Sequence, residues 1–268
     1  MSTAITFLGV AGYEIVGPEY RILLDPCLSA NPDRPIEPDD LETPDAILVS
    51  HAAFDHFGDT YAIAARTGAP VICGGDVRNL LLAMGLPSEQ VRATVWGIVT
   101  KVGNVLVRPV ECHHWSQAQL PNGQWISGVP LGFIVEPEPG VRIYHYGDTA
   151  IFGDMRLIKE LYQPTIGLLG CTQPQHFLKQ VPGPGWFLTG ELSPREAALA
   201  AEFLGVKLAL ATHYLDLQNT EGVEYREVQE FLAAVHELDT TGSRKAMALE
   251  VGETLIVDGD VYRKERRL

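Results

Sequence analysis

The chain reads as an α/β protein with one domain of two similar layers. Short apolar runs that end in turns, such as ITFLG, RILLDP, AILVS and PVICG, alternate with longer stretches of helical period. Strands and helices recur at similar spacing in both halves, without an internal repeat. With 268 residues, 46% of them hydrophobic, there is enough apolar material for a sizeable core.

In order along the chain, ITFLG, YEIVG and RILLDP read as strands, followed by a Pro- and Asp-rich loop over Asn31–Asp45 and the strand AILVS. Helical stretches are predicted over Thr60–Arg66 and Asp76–Met84 around the strand PVICG, and the strand VLVRPVE follows. Ser116–Pro130 reads as a long polar loop, and LGFIVE and VRIYHYG as strands joined by the turn EPEPG. A helix over Asp154–Tyr162, the strand TIGLLG and an irregular loop over Thr172–Glu191 come next. The helix in SPREAALAAEFLG carries its own punctuation: Ser193 as N-cap, Pro194 at the first turn, Glu196 at the capping-box position and Gly205 after the end. The strand KLALAT, a helix over Val223–Leu238 and the strands KAMALEV and TLIVDG close the chain, with RKERRL as a solvated tail.

Lys and Arg number 20 against 34 Asp and Glu, a net charge of -14 that disfavours nucleic acid and anionic membranes as partners. MSTAITFLGV lacks a basic region leading into a long apolar run, and no stretch approaches a membrane span, so a cytoplasmic location is expected. The four cysteines form no CxxC pair, which points to reduced thiols rather than a disulfide framework or a structural zinc ribbon.

The eight histidines carry more information. AILVS runs into His51-Ala52-Ala53-Phe54-Asp55-His56, so two imidazoles and a carboxylate leave one strand end together. Imidazole nitrogen and carboxylate oxygen form a ligand set for zinc, manganese or iron. The same placement recurs where VLVRPVEC ends in His113-His114, VRIYHYG in Asp148 and KLALAT in His213. Taken singly, each is a hydrogen-bonded histidine or a turn aspartate; four strand exits in sequence favour a metal centre at one sheet edge.

These segments, with FLGVAGYEI, SHAAFDHFGD, YHYGDTAIFGDMRLI and ATHY, resemble the metallo-β-lactamase superfamily, and within it the metal-dependent hydrolases similar to L-ascorbate-6-phosphate lactonase. The resemblance implies a four-layer αββα sandwich over residues 1–268 and one or two divalent ions. It implies His51 and His113 at a first metal position, Asp55, His56 and His213 at a second, Asp148 between them, and Asp25 as a structural aspartate orienting the metal loop. His114 would be a substitute ligand or a catalytic group beside Asp55, which would orient the attacking water. Two positions depart from the pattern. Ala53 stands where a third histidine is expected, and Gly9-Val10 replaces a glycine-histidine pair. Three accounts fit Ala53: a centre with one ion, a first position completed by His114 or water, or a histidine truncated to silence the site.

The function expected is hydrolysis of a small molecule by a metal-activated water, with a lactone as substrate. Phosphoester or amide hydrolysis is the alternative, and a regulatory module with a decayed site is the non-enzymatic one. Retention of Asp55, His56, Asp148 and His213 together argues against decay. The family likeness favours a homo-oligomer. A bound dication would offset Asp55 and Asp148 and open the site to an anionic substrate. Trp115, Gln117, Trp125, His176 and Trp186 are candidate pocket walls. Cys171, His145 and His236 read as a buried thiol, a structural imidazole and an exposed one.

Overall fold

The computed structural model describes residues 2–32, 34–173 and 183–266. Its first sheet has the order β17 (Val261–Arg266), β16 (Glu253–Asp258), β1 (Thr3–Gly9), β2 (Gly12–Gly17), β3 (Tyr20–Leu24), β4 (Ala46–Val49), β5 (Val71–Cys73), β6 (Val91–Ala93). The second runs β15 (Lys245–Met247), β14 (Leu208–Thr212), β13 (Ile166–Gly170), β12 (Val141–His145), β11 (Gly132–Glu138), β8 (Val105–Val110), β7 (Thr100–Val102). In each sheet a parallel half, β3 to β6 or β12 to β15, adjoins an antiparallel half.

Alternation along the strands sorts side chains into two cores. Ile22, Leu24, Ala46 and Leu48 face the second sheet, where they meet Val107, Phe133 and Ile143. Their neighbours Leu23, Ile47 and Val49 face outward against Ile63, Val77 and Leu81 of helices α2 (Thr60–Thr67) and α3 (Gly75–Met84). A helical layer of α4 (Met155–Tyr162), α5 (Pro194–Leu204) and α6 (Val223–Leu238) covers the second sheet through Ile158, Ala197, Leu204 and Phe231. The result is the four-layer αββα sandwich. Helix α5 begins with the capping box expected at Ser193 and Glu196 and ends at Gly205 in a left-handed cap.

Two stretches differ from the sequence expectation. Ser116–Gln119 (β9) and Trp125–Gly128 (β10) pair as a hairpin within the polar loop, because Ser116 and Ala118 bury one face while Gln117 and Gln119 stay in water. The basic tail is the edge strand β17 through Arg266, paired along β16. Its charged side chains suit an edge that must not recruit another strand. Among the described residues, no helix is long and apolar enough to cross a membrane.

The parallel strands deliver their following loops to one edge, where open α/β sheets form crevices. Asp25 follows β3, His51 follows β4, Asp148 follows β12 and His213 follows β14. Val10 closes this edge by donating its N–H to the Tyr214 carbonyl and accepting the His213 N–H at its own carbonyl. Four of the five non-glycine residues with positive φ among the described residues lie here: Val10, Asp25, Asp148 and His213. Backbone strain of this kind persists where surrounding contacts over-determine it. Gly147, at φ +63°, precedes Asp148, and a Cβ there would overlap the Leu131 carbonyl oxygen. Gly147→Ala is expected to destabilise the chain by about 3 kcal/mol, from the left-handed backbone and the overlap together. A lowered urea midpoint at unchanged m-value checks this.

Candidate metal centre

Asp25 anchors the metal loop. Its Oδ1 accepts the Ser50 backbone N–H at 2.7 Å, and its Oδ2 accepts Ser50 Oγ–H, His56 Nδ1–H and His145 Nε2–H, each at 2.7 Å. Burial alone would raise this carboxyl, but the His56 charge and the His145 N–H outweigh it and hold Asp25 well below the usual carboxylate range. His145, expected as a bystander, is therefore part of the anchor.

The network tethers three imidazoles outward at Nδ1 by hydrogen bonds, and the Nδ1 of a fourth, His213, faces a carboxylate without an aligned one. His56 Nδ1 faces Asp25, His51 Nδ1 lies 3.0 Å from Ser50 Oγ, His114 Nδ1 lies 3.1 Å from the Gly190 carbonyl, and His213 Nδ1 lies 3.3 Å from Glu191 Oε2. With the Nδ1 protons assigned to these partners, deprotonation of His56 and His213 at Nε2 would leave each ring with an inward lone pair, the arrangement of metal-ligating histidines with carboxylate or carbonyl partners. The Nε2 atoms of His51, His56 and His213 are buried without an aligned hydrogen bond. That is the condition an ion would relieve.

Potential ligand atoms fall into two adjoining groups that share Asp148. Asp55, His56, Asp148 and His213 form one, and His51, His114 and Asp148 the other, each with its ligand atoms within 4.8 Å of one another. His56 Nε2 is 2.9 Å from Asp148 Oδ2, and His213 Nε2 is 3.5 Å from both Asp148 Oδ1 and Asp55 Oδ2. His51 Nε2 stands 3.8 Å from Asp148 Oδ2. The donor set fits a divalent ion bound by nitrogen and oxygen.

The structure exchanges the roles expected of the paired histidines. His113, read as a ligand of the first position, points away: its ring stacks on Phe152 at 4.4 Å and its Nε2 lies 2.7 Å from Glu111 Oε1. Consecutive residues of an extended segment face opposite sides, so only one of the two can reach the centre. His114 does, with its ring 5.0 Å from His51. With Nδ1–H committed to a carbonyl, neutral His114 offers a lone pair rather than a proton, which suits the substitute ligand of the two roles expected from the sequence rather than the catalytic group. Ala53 brings only a methyl group, so the first group stays at three residues.

Glu191, Ser50 and Tyr146 escaped the sequence reading. The Glu191 side chain is buried behind His213, and the Tyr146 hydroxyl donates to Asp148 Oδ1. Ser50, the last residue before His51, had a local signal in its polar character at a strand exit. Glu191 had none, since its partner is 22 positions distant in sequence at His213. Cys171 is buried beneath the Thr212 carbonyl with its thiol pushed far up by burial, which removes it as a nucleophile. Trp115 packs edge-on against Phe187 beside His114, and His236 is exposed as expected. His176 lies outside the described residues.

Hollows of about 640 and 420 Å³ lie elsewhere on the surface. The cavity that reaches the centre is smaller, about 160 Å³, and Asp55 and His213 form part of its wall. Gln117, Trp125 and Trp186 do not line it.

A sandwich of this architecture with an N/O centre at the strand exits defines a metallo-β-lactamase-fold protein. Residues 20–214 match the family model of the beta-lactamase superfamily domain, and the chain belongs to that family. Among its relatives are proteins named UPF0173 metal-dependent hydrolase. One from Rubrobacter xylanophilus is 38% identical over 79% of this chain and 81% of its own, and one from Pyrococcus furiosus is 36% identical over 94% and 98%. The solved metallo hydrolase Igni18 of Ignicoccus hospitalis shares the fold, with a TM-score of 0.72 and 24% identity over 96% of this chain and 99% of that one. The chain is thus a metal-dependent hydrolase of the metallo-β-lactamase fold.

Electrostatics give the free centre a definite protonation state. Burial would lower His213, but Asp148 and Glu191 outweigh it and push the imidazole up to about 10. Burial and repulsion from His56 push His51 down to about 3, so it is neutral. Asp148 and Asp25 likewise hold His56 well above its ordinary value, and burial pushes Glu191 up to about 8, so at neutral pH the metal-free site holds protons on both His213 and His56 that an ion must displace. Metal affinity should rise from about pH 6 to about pH 9, roughly tenfold per pH unit for each proton released. Chelator competition across that range, with calorimetry in buffers of different ionisation enthalpy, measures both slope and proton count.

Proposed function

We propose that the chain hydrolyses a small cyclic ester, a lactone, at the centre formed by Asp55, His56, Asp148 and His213. The observation that carries this reading is the convergence of buried, unpartnered imidazole Nε2 atoms on Asp148 beside a small cavity. Zinc, manganese and iron all suit the donor set. Bound there, a divalent ion supplies Lewis acidity that makes water a nucleophile at neutral pH and polarises the carbonyl under attack.

The chain's own groups do the rest. Burial would raise Asp55, but the His213 N–H and the His56 charge hold it below its ordinary value, so it is ionised and able to take a proton from water at its carboxylate. Its side chain is 20% exposed and lines the cavity, whereas Asp148 is closed off. Glu191 behind His213 and Asp25 behind His56 hold the two rings in place. The cavity admits a small acyl group and keeps bulk water away from the carboxylate.

The four-residue position needs nothing from residue 53. The three-residue position lacks a ligand, so one firmly held ion is the arrangement that fits Ala53 best. Metal analysis after dialysis should find close to one ion per chain with Ala53 in place and close to two in Ala53→His. An unchanged content in Ala53→His would remove this account.

Activity is tested on a panel of lactones, linear esters and phosphoesters by pH-stat. Metal-loaded protein should open lactones, and Asp55→Ala should lower kcat/KM by at least ~100-fold with loss of metal. Metal content and turnover both intact in Asp55→Ala would refute the mechanism. Absence of turnover on any ester in both the Ala53 chain and Ala53→His would favour the decayed module.

A further inference from the structure

The cavity beside Asp55 and His213 has a chemical character of its own. Val10, Ala30, Phe54, Tyr214, Leu215 and Val223 supply apolar and aromatic wall. Glu224 and Glu227, one helical turn apart on α6, supply two carboxylates. Each has one oxygen engaged: Glu224 Oε2 accepts the Leu215 and Asp216 N–H groups at 3.0 Å, and Glu227 Oε2 accepts the Gln173 N–H at 3.0 Å. Among the described residues no Lys or Arg lines the cavity, and neither glutamate forms an ion pair. The other wall of the cavity is His213, 6% exposed, with both ring nitrogens lacking an aligned hydrogen bond.

The same sign of charge continues into the centre. The groups acting most strongly on His51, Asp55, Asp148, Glu191 and His213 are carboxylates and imidazoles, with no guanidinium or ammonium among them. Among the described residues, an anionic substrate would therefore meet only the metal as a counter-charge while passing Glu224 and Glu227. This reverses the anion-accepting character expected from the sequence. An ammonium group finds carboxylate oxygen beside the aromatic residues Phe54 and Tyr214 in one apolar hollow, a combination suited to quaternary and protonated amines. Burial and the neighbouring Glu230 and Glu224 raise Glu227, a repulsion that a bound cation would relieve.

We propose that this cavity takes the positively charged, amine-bearing end of the substrate, with Glu227 and Glu224 as specificity determinants that exclude phosphate- and carboxylate-bearing esters. The proposal rests on the hydrolase reading above for its place in catalysis. Its binding part stands alone, since it concerns the chain's own cavity. The volume of about 160 Å³ falls below the ~300 Å³ of ordinary small-ligand pockets, so the cationic end is small, on the scale of a trimethylammonium or aminoalkyl group.

Two measurements test it. The first compares para-nitrophenyl esters that share a leaving group and differ only in an acyl chain ending in trimethylammonium, methyl or carboxylate. Expected kcat/KM follows ammonium over methyl over carboxylate, and in Glu227→Gln the ammonium-to-methyl ratio falls about tenfold. Equal or better hydrolysis of the carboxylate ester overturns the proposal, as does an unchanged ratio in Glu227→Gln. The second is calorimetric titration of butyltrimethylammonium into the metal-free chain, with circular dichroism to show that the variant is folded. Saturable binding that Glu227→Gln weakens is expected, and its absence overturns the proposal whatever the esterase result. Cation binding without hydrolysis of any ester would instead sink the hydrolase reading and leave the cavity assignment standing.

Discussion

A single buried carboxylate, Asp25, holds the centre together. It lies at the exit of β3 and receives the backbone and hydroxyl of Ser50 from the exit of β4, the ring of His145 from the end of β12, and the ring of His56 from the metal loop. Two sheets and the loop between them thus converge on two oxygen atoms. No Lys or Arg helps to carry the charge, so the imidazole and hydroxyl donors must do so. Breaking such a buried network by removing one partner costs about 3–5 kcal/mol. The positive φ of Asp25 shows that the surrounding structure enforces its placement. Through His56 the anchor reaches Asp148, and from Asp148 it reaches both groups of ligand atoms.

The consequence is a centre assembled before any ion arrives. Outward tethers at Nδ1 fix the direction of three rings and Glu191 backs the fourth, so the Nε2 atoms are concentrated at Asp148 rather than searching for it. Strain at Val10, Asp148 and His213 belongs to the same constraint, because those residues close the edge where the two sheets meet. A loop held this firmly can lose the histidine expected at position 53 without losing its shape. The helix Phe54–Phe57 begins directly after Ala53, and His56 and Phe57 donate their N–H groups to its carbonyl.

Charge at the centre follows a different logic from charge on the surface. Asp25, Asp55, Asp148 and Glu191 crowd a region without basic side chains among its strongest neighbours, so imidazoles and a divalent ion are the available compensation. The adjoining cavity extends this acidity through Glu224 and Glu227 into an apolar hollow. The acidic balance of the whole chain is therefore reproduced in the cavity beside the centre.

Much of this was legible in the chain itself. The short continuous apolar runs AILV and RILL read as strands, Ser193-Pro194 with Glu196 marked a helix start, and abrupt polar residues at strand exits marked His51, Asp55, His56, Asp148 and His213 as companions. Pattern could not tell His113 from His114. Both follow the same strand, and only the direction of the side chain relative to a distant sheet edge separates the one stacked on Phe152 from the one facing His51. The hairpin Ser116–Gly128 was hidden because its strands are short and polar. Glu191 and His145 were hidden because their partners lie far along the chain. Sequence by itself determined the fold class and the ligand chemistry, which depend on local periodicity and residue type. Tertiary structure alone decided which imidazoles point inward, what tethers them and which cavity they adjoin, because each depends on contacts between segments that only packing brings together.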